Sequence, residues 1–153
     1  MRVEQRLFEL GIELPRVPAP AGKYASCSAS GNLLFLSGQG PLLADGFFAR
    51  GKVGSEISLS EGRERARLAG LLLIAVLRDT VGNLDRVMQI NKLFGMVNAV
   101  PDFAEHPAVI DGCSDLFLSV FGESGRHARS SVGVASLPGD ISVEVEAVVT
   151  IER

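Results

Sequence analysis

From Ile141 to Ile151 the odd positions Ile141, Val143, Val145, Ala147, Val149 and Ile151 are all apolar. The even positions carry Ser142, Glu144, Glu146 and Thr150, with Val148 the exception. A two-residue period suits a half-buried strand, because successive side chains leave a pleated backbone on opposite sides. The run therefore predicts a strand with its odd face on a core and two carboxylates on the other. Just upstream, Arg129-Ser-Ser-Val-Gly-Val-Ala-Ser136 reads as a second strand that buries Val132 and Val134 and leaves Arg129, Ser131 and Gly133 opposite. Leu137-Pro-Gly-Asp140 between them is a turn signal, so an antiparallel pair is expected. If both apolar sets face one core, parity puts Arg129 and Ser131 on the face of Glu144 and Glu146, since a one-residue slip would turn a strand inside out.

An arginine and two carboxylates on one sheet face have two readings. One is a solvated face with cross-strand ion pairs, each contributing roughly 0.2–1 kcal/mol. The other is a small-anion site, in which Arg129 offers its planar fork of donors to a carboxylate and a glutamate handles a proton or a water. Pattern alone leaves both open.

Earlier in the chain, Val3, Leu7 and Leu10 make a short helical stripe within residues 1–11, stopped by Gly11. Pro15, Pro18 and Pro20 then exclude regular structure and deliver the chain to Tyr24, the only tyrosine. Lys23–Ser28 and Leu33–Ser37 predict a hairpin turning at Ser30-Gly31-Asn32. The stretch Ser37-Gly38-Gln39-Gly40-Pro41 could bring backbone N–H groups to a ligand, but it lacks the lysine and spacing of a phosphate loop. Phe47–Val53 suggests a short third strand or an edge loop. Ser58-Leu-Ser-Glu61 has capping-box spacing, and Ala66, Ala69, Gly70, Leu73, Val76 and Leu77 continue a helical stripe up to Gly82. Arg86–Val97 reads as a central strand. Signals from Asp102 to Pro107 open a second helix with Val109, Ile110, Cys113, Leu116, Phe117, Val120 and Phe121 as its stripe, and Gly122 ends it.

The order βββαβαββ predicts an α+β domain spanning residues 1–153, a mixed sheet with two helices on one face. The other face, expected to carry Val148, Ser131 and Gly133, is left for an oligomer to cover. A net charge of −3 gives no electrostatic footprint for nucleic acid. Cys27 and Cys113 sit in neither redox nor disulfide spacing and read as buried thiols. The charged N-terminus does not resemble a signal peptide, and the longest apolar run, Leu68–Leu77, is far shorter than the ~20 residues that span a bilayer. A cytoplasmic protein is expected. No HExxH, zinc ribbon, dinucleotide fingerprint or P-loop occurs, so neither a metal nor a cofactor is expected. Of the two histidines, His106 and His127, the second could share the cleft of Arg129 two residues on, or simply cap the end of the second helix.

Taken together, His127-Ala-Arg-Ser-Ser-Val, Leu137-Pro and Val143-Glu-Val-Glu-Ala147 resemble one signature of the RidA/YjgF family of imine deaminases, also called endoribonuclease L-PSP. Gly22-Lys-Tyr24, Gly31-Asn32 and Leu36-Ser-Gly-Gln-Gly-Pro41 resemble the other, and Asp102-Phe103 is similar to the family's mid-chain pair. The resemblance covers the chain from about Leu14. It implies a chorismate-mutase-like fold, a homotrimer, and sites in the clefts between subunits. Within such a site it implies that Arg129 holds a substrate carboxylate, that Glu144 orients or protonates through a water, and that Tyr24 walls the pocket of a neighbouring subunit. Ser37, Gly38, Ser131, His127 and Glu146 would complete the substrate-binding surface. Ser131 stands where the best-studied branch has cysteine, Pro107 where asparagine is common, and Lys23 where proline precedes the tyrosine. These departures, with the longer N-terminus, suggest a longer-chain branch.

The implied activity is hydrolysis of a reactive enamine or imine such as 2-aminoacrylate to a 2-keto acid and ammonia. Two rivals belong to other classes. A non-catalytic metabolite-binding or chaperone-like trimer would use Arg129 without turnover. A single-strand endoribonuclease would want a basic groove bearing aromatic side chains, which an acidic chain without tryptophan does not offer.

Overall fold

The computed structural model describes residues 2–153. The chain opens with a seven-residue helix, α1 (Val3–Glu9), then a proline-rich arm, then β1 (Cys27–Ser30) and β2 (Leu33–Gln39). After α2 (Leu59–Val81) come β3 (Val87–Asn98), α3 (His106–Phe121), β4 (Ala128–Val134) and β5 (Val143–Ile151). The capping box that starts α2 is formed as the spacing predicts: the Glu61 amide donates to Ser58 Oγ at 3.1 Å, and the Ser58 amide donates to Glu61 Oε2 at 2.9 Å. Gly82, at a φ of 79°, ends the helix.

The five strands lie in the order β1-β2-β5-β3-β4, with every neighbour antiparallel except β3 and β4. Both long helices pack on one face and share a core with it. Val143, Val145, Ala147 and Val149 of β5 are buried there, as the alternation requires, beside Leu34 and Leu36 of β2 and Leu93 and Val97 of β3. The fold is thus the α+β arrangement that the sequence suggests, a mixed sheet with both long helices on one face. Among the described residues no helix is long and apolar enough to cross a membrane.

Two sequence expectations fail. Phe47–Val53 is not a third strand. It touches the sheet only through single bridges such as Arg50 to Ile141 and Val53 to Ala99, so two strands, not three, precede α2. More consequential is the position of β4. It does not pair with β5 as a hairpin, because β3 lies between them. A strand followed by a helix returns most readily as a parallel neighbour, and α3 carries the chain to the far side of β3 in that way. Leu137-Pro-Gly-Asp140 is accordingly part of a longer connection across the end of β3. Asn98, fully buried at that end, ties it down by donating to Asp140 Oδ1 at 3.0 Å and to the Ile141 carbonyl at 3.1 Å, while Lys52 donates to Asn98 Oδ1 at 2.7 Å.

This topology reverses the predicted face of β4. Residues opposite one another in neighbouring strands share a face. Arg129 aligns with Leu93 and, across β3, Ala147; Ser131 aligns with Gly95 and Val145. Arg129, Ser131 and Gly133 therefore look toward α3, and Gly133 lies against the His106 ring at the start of that helix. Val132 points to the open face and is exposed instead of buried. The open face holds Phe35, Val148, Phe94 and Met96 with Lys92, Glu144 and Glu146, and neither Ser131 nor Gly133 as expected.

Candidate functional site

β5 delivers Glu144 to the open face beside the end of β2. Between Leu36 and Gln39 the pairing with β5 slips by one residue, a bulge that pushes Ser37-Gly38 out of the ladder. The result is that Gly38 abuts the Glu144 side chain: a Cβ built there would lie 2.9 Å from its carboxyl carbon. The arm from Pro18 to Tyr24 folds over this spot and encloses a cavity of about 200 Å³ whose walls include Pro18, Pro20, Tyr24, Phe48 and Ile141, with Glu144 in the lining. Tyr24, 53% exposed, thus shares a cavity with the glutamate of its own chain. Ser37 lies outside the cavity's lining. Its hydroxyl donates to the Ala25 carbonyl at 2.8 Å and its amide to the Ser26 carbonyl at 2.9 Å, which anchors the segment bearing Tyr24.

Burial pushes the Glu144 carboxyl above its ordinary value, and the neighbouring negative charge of Glu146 adds to this. No hydrogen bond within the described residues offsets either effect. Glu146, two residues on, lies outside this cavity, in a shallow apolar hollow with Phe35, Phe94 and Lys92. Replacing Gly38 by alanine is expected to displace the carboxylate. Because the clash is with the mobile end of a side chain, the fold should lose only about 1 kcal/mol, the cost of an off-rotamer glutamate. Comparing the activity of Gly38→Ala with its thermal midpoint checks this; unchanged activity would show that Glu144 is not the reacting group.

Arg129 occupies a separate place. Its Nη1 donates to Asp111 Oδ1 at 2.8 Å and to Ser114 Oγ at 2.9 Å, and Nη2 donates to the Pro107 carbonyl at 3.3 Å, all on α3 or its first turn. Nε–H and one Nη2–H have no partner among the described residues. His127, just ahead of β4, bonds Ser114 Oγ through Nε2 at 2.8 Å and the Gly125 carbonyl through Nδ1 at 2.7 Å. Burial, with the positive charge of Arg129, holds its imidazole below the usual value. Cys113, between these partners on α3, is fully buried and its thiol is pushed up to about 12, which keeps it neutral and unreactive. Ser131 Oγ is buried without a partner among the described residues.

The expected constellation therefore divides into two groups on opposite faces of the sheet, Glu144 with Tyr24 and Gly38 on one, Arg129 with His127 and Ser131 on the other. Asp111 and Ser114 went unnoticed in the sequence, although a serine inside the apolar stripe of α3 is a polar group that needed a partner. Among the described residues no three His, Cys, Asp or Glu side chains gather into a metal-ligating group.

Residues 4–144 match the model of the family described as "YjgF/chorismate_mutase-like, putative endoribonuclease". The chain belongs to this family. It is 44% identical over 153 residues to protein TCP17 of Trypanosoma cruzi, a match covering 99% of this chain and 96% of that one. It is 31% identical over 146 residues to the 2-iminobutanoate/2-iminopropanoate deaminase of Dermatophagoides farinae, covering 92% and 95%. A crystal structure from Shewanella oneidensis, described as "a putative endoribonuclease", has 38% identity, covers 99% of this chain and 100% of its own, and superposes with a TM-score of 0.95. This family membership accounts for the paired signatures around Leu36–Pro41 and Ala128–Ala147.

Proposed function

We propose that the protein hydrolyses small 2-imino acids, and the enamines that tautomerise to them, in clefts between the subunits of a homotrimer. The observation that carries this reading is Glu144, a half-buried carboxyl whose pKa is raised, unpaired among the described residues, in a cavity of small-molecule size. The net reaction adds water to the imine carbon of R–C(=NH)–COO⁻ and releases ammonia, leaving R–C(=O)–COO⁻. Protonated Glu144 gives its proton to the substrate, at the terminal carbon of an enamine or at the departing nitrogen. The carboxylate so formed takes a proton from the attacking water. The nitrogen leaves as ammonia once the tetrahedral adduct collapses.

Arg129 supplies the carboxylate anchor through its Nε–H and Nη2–H donors, a pair suited to bidentate recognition. Within one chain β3 separates β4 from β5 and the two residues face opposite ways. Arg129 of one copy must then meet Glu144 and Tyr24 of another. The uncovered apolar side chains Phe35, Phe94 and Val148 on the open face support such assembly. The similarity to a named iminobutanoate deaminase supports the substrate class. An RNA-cleaving role finds less support, since the net charge is −3 and no basic groove adjoins Glu144.

The test is release of ammonia and keto acid from 2-iminobutanoate generated in situ by an amino-acid oxidase. Acceleration over the buffer rate is the expected result. No acceleration across small and bulky imino acids would exclude the reading.

A further inference from the structure

We infer that Ser114 and His127 are positioning residues for Arg129, forming a relay that aims its guanidinium at the substrate carboxylate; this rests on the deaminase reading for the use made of Arg129. The hydrogen-bond chemistry gives the relay a direction. The Gly125 carbonyl can only accept, so His127 Nδ1 must carry the ring proton of the neutral imidazole. Nε2 is then a bare lone pair and takes the hydrogen of Ser114 at 2.8 Å. With its hydrogen committed, Ser114 Oγ presents lone pairs to Arg129 Nη1, which donates at 2.9 Å. Asp111 takes the second Nη1 hydrogen and the Pro107 carbonyl one of Nη2. Three acceptors along the α3 side leave the remaining donors to face outward, and the side chain is mostly buried, so its orientation is not free to average.

Protonated His127 would upset this arrangement. A hydrogen on Nε2 displaces the serine hydrogen from its acceptor and sets a second cation beside the guanidinium. The groups around the imidazole are few: Arg129 is the charge that acts on it, Asp111 lies beyond that guanidinium, and Cys113 on α3 is a neutral thiol. Gln89 of β3, close by and uncharged, donates to the Arg126 carbonyl. Phe117 covers the ring edge-on, with centroids 6.4 Å apart. The imidazole is thus held neutral and oriented at physiological pH, and its role is to set the hydroxyl of Ser114.

Steady-state kinetics on 2-iminobutanoate and a binding titration with 2-oxobutanoate, both run from pH 5 to 8, test the relay. Ser114→Ala and His127→Ala should raise KM and the 2-oxobutanoate Kd about tenfold with kcat little changed, equivalent to about 1.4 kcal/mol of carboxylate binding. His127→Gln, whose amide oxygen can accept from Ser114, should recover most of the loss. The wild type needs no substitution to show the effect: its KM should climb as pH falls below the ordinary 6.5 of histidine, and that climb should vanish in His127→Gln. If Arg129→Ala raises KM while Ser114→Ala, His127→Ala and the pH profile leave it flat, the relay is refuted and the deaminase reading survives. Unchanged KM and Kd in Arg129→Ala would remove the deaminase reading's anchor and the relay with it.

Discussion

Glu144→Gln should lose on the order of 10²–10⁴-fold in imine hydrolysis, the range that a positioned acid or base commands, and Arg129→Ala should lose activity by weakening the hold on the substrate carboxylate, yet mixed assemblies of the two should recover activity. The two residues sit on opposite faces of the sheet with β3 between them. On the proposed mechanism a working cleft draws Arg129 from one subunit and Glu144 from the next. When the two variant chains are co-assembled in equal amounts, about a quarter of clefts draw the intact arginine from one and the intact glutamate from the other, if assembly in the closed ring is random. Activity near a quarter of wild type is the expected readout. A dead mixture would mean that both residues act within one chain, or that one of them does not act at all.

The same pair separates function from stability. Burial favours the protonated form of Glu144 in the folded protein, so its stabilising contribution is complete below its unfolded value near 4.5 and is lost as pH rises through the raised folded value. Above that raised folded value Glu144 would be a half-buried carboxylate with no partner among the described residues. Glu144→Gln removes that charge, so its thermal midpoint at pH 7 should equal or exceed that of the wild type while activity collapses.

Gly112→Ala should be the most damaging single methyl group in the molecule. A Cβ at Gly112 would overlap the backbone carbonyl oxygen of Arg63, where α3 and α2 cross in contact. Backbone cannot swing aside as the end of a side chain can, so the helices must part and open the packing beneath them. A loss of about 3 kcal/mol is expected, at the upper end of overpacking costs. Denaturant unfolding with a lowered midpoint and an unchanged slope checks it. Gly112 also lies between Asp111 and Ser114 along α3, the two residues whose side chains hold Arg129. The variant should therefore bind 2-oxobutanoate more weakly even where it remains folded. A stability loss below about 1 kcal/mol would show that the helices can re-space without effort.

How far the sequence carried can be judged strand by strand. The alternation through Ile141–Ile151 correctly placed Glu144 and Glu146 on one face, because parity within a single strand needs only the pleat. Capping at Ser58 and the stripes of α2 and α3 were equally legible, since both depend on residues within one or two turns. The place of Arg129 was not. Parity between two strands holds only once their neighbours are known, and a turn signal such as Leu137-Pro-Gly-Asp140 shows where the chain bends without showing which strand it returns to. Two valines in β4 suggested the wrong buried face. Arg129, Ser131 and Gly133 turn inward because α3 supplies Asp111, Ser114 and the Pro107 carbonyl to the arginine, and because Gly133 leaves room for His106.

By itself, then, the sequence determined the α+β class and the family, and offered the residue types on which the proposed chemistry rests, all through local periods and contiguous motifs. Only the tertiary structure decided that Glu144 and Arg129 lie on opposite faces of the sheet and that His127 reaches the arginine through Ser114. Those facts depend on the insertion of β3 between β5 and β4, a long-range pairing whose free energy comes from packing against α2 and α3 and leaves no local mark in the chain.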